Sequence, residues 1–148
     1  MSYNLEAGRS QAQIDDMKQL LEKGECFMCY KSLTQYKNNR IEFETKHWIV
    51  TPNAYPYKHT KLHLLLISRR HVSIMSELTK EERADFTDAI VEIEKRHKLK
   101  YYSVAMRNGD FRYTGASVEH LHAHIIVGDH ESDEFEPVRV KLASKPKS

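Results

Sequence analysis

Apolar and polar positions change period several times along the chain, and each change marks an element. Ile14, Met17, Leu20 and Leu21 recur at helical spacing between Ser10 and Lys23, and Gly24 ends the run, which predicts an amphipathic helix ahead of the main domain. Residues 34–40 are polar, with Asn38-Asn39 as a turn signal. Two strand-like runs follow, Ile41-Glu42-Phe43-Glu44 and His47-Trp48-Ile49-Val50. Thr51 to Tyr57 then reads as a loop in which Pro52 and Pro56 argue against regular pairing. His63 to Ile67 is a short apolar run of the kind a buried central strand carries, closed by Ser68-Arg69-Arg70-His71. Thr79 with Glu82 three residues later forms a capping box. The helix it opens sets Phe86, Ala89, Ile90 and Ile93 on one face and gathers Lys95, Arg96, His97 and Lys98 at its negative end. That position accounts for His97 without assigning it to a site. Tyr101 to Met106 reads as a strand, Arg107 to Ala116 as a loop, and Ser117 to Val127 as a last strand.

In that last strand His120-Leu121-His122-Ala123-His124 alternates strictly. A strand directs successive side chains to opposite faces, so the three histidines share one face, about 6.5–7 Å apart, and Leu121, Ala123 and Ile125 share the other. One account is a half-exposed strand with histidines on its wet side. Three in strict alternation beside Ile125-Ile126-Val127 point instead to a surface for a metal, a phosphate or both, because imidazole can ligate, donate a proton or attack as a nucleophile. The order helix, strands, helix, strands predicts an α+β domain with a mostly antiparallel sheet.

Composition narrows the class. A chain of 148 residues fits one domain with a core of its own. A net charge of +2 gives no case for nucleic-acid or membrane binding. Charged residues at 30% and a mean hydropathy of -0.66 fit a soluble protein, and no apolar run approaches a membrane span. Met1 to Gly8 is polar and lacks the apolar core of a secretion signal, so a cytoplasmic location is expected. The last residues change sign, from Asp129, Glu131, Asp133, Glu134 and Glu136 to Arg139, Lys141, Lys145 and Lys147, and are expected to be a peripheral tail. The divisions are then an N-terminal helical extension (1–24), the main domain (25–128) and a charged tail (129–148). Cys26-Phe27-Met28-Cys29 suggests a metal half-site or a redox pair. These cysteines follow a helix and precede a polar loop, which favours zinc over a thioredoxin-like arrangement; histidine is the usual partner ligand.

The run His120 to Ile126 resembles the histidine triad motif of the HIT superfamily of nucleotide hydrolases and transferases. The resemblance extends to Asn53-Ala54-Tyr55-Pro56-Tyr57, to His63 through His71, to Asn108-Gly109 and to Gly115-Ala116-Ser117, and Cys26 and Cys29 fall where zinc-containing members carry theirs. It covers roughly residues 25–128 and implies a HIT-like fold, with the helix from Thr79 as the long helix and the N-terminal helix as an addition. His122 matches the nucleophile, which would attack an α-phosphate to form a covalent nucleotidyl-histidine that water then hydrolyses. His124 would bind phosphate or help the leaving group. Asn53 matches the ribose contact, His63 a histidine lining the pocket, and Asn108 and Ser117 phosphate contacts. Cys26, Cys29, His71 and His120 match the ligands of a structural zinc. Phe27 and Trp48 are candidates for the base slot, with ordinary core packing the stronger reading for both.

The ligand implied is a purine nucleotide or nucleotide conjugate, a phosphoramidate or dinucleoside polyphosphate, and many members pair as homodimers across the helix and strand preceding the triad. Three positions depart from the pattern. Ala116 stands where many hydrolases carry glutamine, Ser68 replaces a frequent proline, and the stretch from Tyr57 to His63 is longer than the common turn. His124 stands where transferases carry glutamine, which favours water as acceptor. A nucleotidyltransferase or phosphorylase and a non-catalytic nucleotide-binding adaptor remain the alternatives.

Overall fold

The computed structural model describes residues 11–35 and 40–147. Its elements are α1 (Gln11–Lys23), α2 (Tyr30–Gln35), β1 (Phe43–Glu44), β2 (Trp48–Pro52), β3 (Thr60–Ser68), α3 (Lys80–His97), β4 (Ser103–Met106), α4 (Phe111–Thr114) and β5 (His122–Gly128). The five strands form one antiparallel sheet in the order β1-β2-β3-β5-β4. The expected α+β architecture is therefore present. Among the described residues no helix is long and apolar enough to cross a membrane.

The two faces of the sheet bury different partners. Trp48, Val50, Leu64, Leu66, Leu121, Ala123 and Ile125 form one core with Ala89 and Ile93 of α3, and Phe86 and Ile90 pack at its margin. Trp48 is held there by its indole N–H donating to the Glu82 carbonyl at 2.8 Å and by the Phe86 ring at 4.8 Å. It is a core residue. Ile49, Leu65 and Ile67 face the other way and bury Leu20 of α1, Cys26, Met28 and Leu33. His122 and His124 lie directly opposite Ile67 and Leu65 across the β3–β5 ladder. Period-two alternation thus puts them on the face covered by the N-terminal segment. His120 lies before β5 begins, so the last strand is shorter than the span 117–127 expected from the sequence.

Other boundaries also shifted. β2 runs on through Pro52, which pairs with Leu64. The N–H of Asn53 donates to the His63 carbonyl at 2.9 Å. Residue 52 therefore turns its nitrogen away from β3, beyond the end of β1, where a proline withholds no ladder bond. α1 ends at Gly24, whose φ of +68° is the left-handed stop predicted for it. Ser10 and the Asn38-Asn39 turn lie outside the described residues, as do the side chains of Met17 and Leu21. The short helices α2 and α4 have too few turns to carry a periodic signal.

The capping box is formed: the Thr79 hydroxyl accepts from the Glu82 N–H at 3.1 Å, and Glu82 Oε1 accepts from the Thr79 N–H at 2.8 Å. The same buried carboxylate accepts from Arg70 Nε at 2.9 Å and Nη2 at 2.8 Å, tying the segment after β3 to the start of α3. Arg70 first, with help from Thr79 and against the cost of burial, holds the Glu82 carboxyl at about 2, below its ordinary 4.5. A carboxyl depressed on folding contributes stability that is full above its unfolded value and is lost as pH falls towards the folded one. With Arg70 half-exposed, that contribution is about 2 kcal/mol. Urea unfolding of Glu82→Gln should show that loss at pH 7 and a flatter decline between pH 4.5 and pH 2. A decline as steep as that of the unaltered chain would show the pair to be idle.

Candidate functional site

Four side chains from three segments converge beneath the sheet: Cys26 and Cys29 between α1 and α2, His71 after β3, and His120 before β5. One ligand atom from each lies within 4.8 Å of every other. His120 Nε2 donates to the Ser68 carbonyl at 2.6 Å, which leaves Nδ1 as the lone-pair nitrogen. That Nδ1 faces Cys26 Sγ at 3.5 Å, Cys29 Sγ at 3.7 Å and His71 Nδ1 at 3.0 Å, and Cys29 Sγ is 3.4 Å from His71 Nδ1. Metal–sulfur bonds of about 2.3 Å and metal–nitrogen bonds of about 2.0–2.1 Å at tetrahedral angles separate ligands by about 3.3–3.8 Å. The three sulfur–nitrogen separations above fall in that range, and the two imidazole nitrogens lie slightly closer.

The donor chemistry agrees. Burial, reinforced by His71 and His122 and opposed by the bond to Ser68, takes the His120 imidazole down to about 4, so it is held in its neutral, ligating form. Burial, then the neighbouring Cys29, pushes the Cys26 thiol up to about 12. Without a cation such a buried thiol keeps its proton, and a metal ion is what would remove it.

Two residues further on, His122 Nδ1 lies 2.7 Å from the carbonyl oxygen of His120. A carbonyl only accepts, so Nδ1 carries the proton and the lone pair resides on Nε2. The residue that completes the cage therefore also sets the tautomer of the next histidine.

A second chain of bonds fixes His124. The Tyr57 backbone N–H donates to His63 Nδ1 at 3.0 Å, so the His63 proton is on Nε2. His63 Nε2 lies 2.8 Å from His124 Nδ1 and donates to it, which puts the proton of neutral His124 on its own Nε2. Asn53 Oδ1 accepts from the Tyr55 N–H at 2.8 Å, and its Nδ2 lies 3.2 Å from His63 Nε2. The Tyr57 ring stacks on His124, centroids 5.3 Å apart.

Asn53, His63, His122 and His124 are brought together. His63, His120, His122 and His124 are all buried, at 5%, 2%, 8% and 3% exposure, which excludes a wet-faced histidine strand. Asn108 is not in the group. It is exposed, and its Oδ1 accepts from the Met75 N–H at 2.6 Å, holding a 3-10 turn (Met75–Glu77). Ser117 is half-buried between the buried Ala116 and Val118. His97 pairs with Glu42 at 2.5 Å, far from these groups in the chain and outside the cluster.

The model of the HIT domain family matches residues 35–131. The chain belongs to the HIT domain family. Several solved HIT structures share its fold. A protein described as Hit Like Protein is 25% identical, covering 67% of this chain and 95% of its own, with a TM-score of 0.56. A histidine triad nucleotide-binding protein from Candida albicans is 19% identical, covering 78% and 85%, with a TM-score of 0.60. A Zn-bound histidine triad family protein from Mycobacterium smegmatis is 18% identical, covering 78% and 82%, with a TM-score of 0.55. No sequence among curated proteins matches the chain.

Within this HIT site the bonding roles of two residues carry no signal in the sequence pattern. Tyr57 was legible only as part of a proline-marked loop. Arg107 carries no motif signal of its own beside Asn108, yet its Nη1 lies 3.4 Å from His124 Nε2. The tail is the other surprise. Arg107 Nε and Nη2 donate to the Lys141 carbonyl at 3.0 and 2.5 Å, and Ser144 Oγ accepts from the Gly115 N–H at 3.0 Å. Gly115 has φ +79°, and a side chain there would put its first carbon 3.1 Å from Lys141 Cγ. The glycine lets the tail lie directly on the loop.

Proposed function

We propose that the chain is a HIT-type nucleotide hydrolase that attacks the α-phosphate of nucleotidyl conjugates through His122. The observation that carries this reading is the 2.7 Å bond from His122 Nδ1 to the His120 carbonyl, which leaves Nε2 as a nucleophile with a fixed tautomer. In the first step the Nε2 lone pair forms a bond to phosphorus, and the bond to the leaving group breaks with its electron pair going to that group. An amine leaving group takes its proton from water, with the His124 Nε2 N–H bonded to the departing group; a nucleotide leaves as an anion. Water then breaks the phosphorus–nitrogen bond, releasing the nucleoside monophosphate and restoring His122. Asn53, beside His63, would bond the ribose hydroxyls, and Ser117 and Asn108 would serve the phosphate. For Asn108 this requires release of Met75.

Zinc is the metal we assign to Cys26, Cys29, His71 and His120, with a structural role. Two thiolates and two imidazoles in a tetrahedral cage suit it, and the M. smegmatis relative is described as Zn-bound. Its chemistry here would be to hold the N-terminal segment and the His120 backbone. A homodimer across α3 and β4 is supported by β4 lying at the sheet edge and by exposed Val91, Tyr101 and Val104. Sedimentation equilibrium should give twice the chain mass, and the mass of one chain at all concentrations would contradict it. The catalytic reading is tested by assaying AMP release from adenosine 5′-phosphoramidate and from diadenosine polyphosphates. Release from at least one is expected, whereas AMP binding with no turnover of either would favour an adaptor.

A further inference from the structure

Arg107 is a full positive charge placed where the neutral donors of the site end. Its guanidinium is anchored on one side by the Lys141 carbonyl, which takes Nε and Nη2, and Nη2 also reaches the Tyr57 hydroxyl at 3.3 Å. This leaves Nη1 directed at His124 Nε2, 3.4 Å away. The bonds through Tyr57 and His63 place a hydrogen on that Nε2. Two N–H groups cannot bond each other, but both can donate to one anionic oxygen set between them. Arg107 also lines a small cleft with Ala116 and His122, and Ala116 has no polar side-chain atom to offer a leaving oxygen.

Beyond Tyr57 a cavity of about 560 Å³ opens, lined by Tyr55, Tyr57, Lys58, His59, Glu136 and Arg139. It is large enough for a nucleoside, with two aromatic rings on which a base could stack.

Resting on the hydrolase reading above, we infer that Arg107 is a specificity residue: with His124 it forms a subsite for an anionic phosphate leaving group, whose nucleoside enters the cavity beyond Tyr57. The chemistry is selective. A phosphate leaving group departs with its negative charge, and a fixed guanidinium stabilises it as the bond breaks. An amine leaving group needs a proton rather than a cation, so Arg107 does little for it. The site therefore favours dinucleoside polyphosphates over phosphoramidates. The tail's carbonyl at Lys141 acts as the positioning group, because it orients the guanidinium.

The test compares kcat/KM for diadenosine tetraphosphate and for adenosine 5′-phosphoramidate in the unaltered chain, Arg107→Ala and Arg107→Lys. In Arg107→Ala the anhydride rate should fall by about 100-fold and the phosphoramidate rate by less than about 5-fold. The second substrate doubles as the control for folding. Arg107→Lys should recover part of the anhydride rate, since charge returns without the forked geometry. Equal losses on both substrates, or no loss on either, would overturn the subsite while leaving the hydrolase reading intact. So would an unaltered chain that cleaves only the phosphoramidate. An unaltered chain inactive on both would overturn the hydrolase reading and this inference with it.

Discussion

His122→Asn should lower turnover of any nucleotide substrate by more than about 1,000-fold while leaving the chain folded and able to bind AMP. The asparagine amide can still donate to the His120 carbonyl, which His122 Nδ1 meets at 2.7 Å, so the local backbone keeps its partner. What it lacks is a lone-pair nitrogen at the position of Nε2. The stability change should be about 1 kcal/mol or less, read from thermal melting. A kcat close to that of the unaltered chain would remove His122 from the mechanism. A uniform loss of AMP binding and melting temperature would mean that it serves packing instead.

The second large effect concerns the cage. Cys26→Ser replaces the thiol proposed as a metal ligand, 3.5 Å from His120 Nδ1, with a hydroxyl of far weaker metal affinity. Bound zinc contributes about 10 kcal/mol or more in small peptides that have no other core. Here α3 and one sheet face have their own core, and the cage adjoins the second cluster, in which Leu20, Met28 and Leu33 pack on Ile49, Leu65 and Ile67. A loss on the order of 5 kcal/mol is therefore expected, with a fall in melting temperature of roughly 10–20 °C. Elemental analysis should find about one zinc per unaltered chain and much less in the variant, and a chelator should reproduce the thermal shift in the unaltered chain. Catalysis should fall as well, because the carbonyl that sets the His122 tautomer belongs to His120. A chain that carries no metal and melts identically with and without chelator would contradict the assignment.

Much of this was readable from the residues. Thr79 and Glu82 announced the start of α3, Gly24 the end of α1, and the alternation through Ala123 and Ile125 the buried face of β5. These are local signals: a cap, a left-handed stop, a period. The cage residues were legible as a set through the family resemblance, since Cys26 and His120 are 94 positions apart and no periodicity links them. The bonding roles of Tyr57 and Arg107 were not legible. Tyr57 acts through its backbone N–H, which every non-proline residue has, and Arg107 depends on a carbonyl supplied by a tail that charge alone marked as peripheral. Asn108 shows the converse. Its identity fits the family loop, yet the turn at Met75 engages its amide at 2.6 Å. Side-chain direction at the end of a strand is decided by neighbours distant in sequence.

The proposed covalent step would distinguish this site from a nucleotide-binding pocket, and it can be observed directly. The chain is mixed with diadenosine tetraphosphate, quenched within milliseconds in alkali, where phosphorus–nitrogen bonds to histidine survive, and its peptides are weighed by mass spectrometry. One adenylyl group on the peptide containing His122, absent from His122→Asn, is the predicted result. Substrate turnover with no adenylylated peptide, or with the adduct on a residue other than His122, would contradict it.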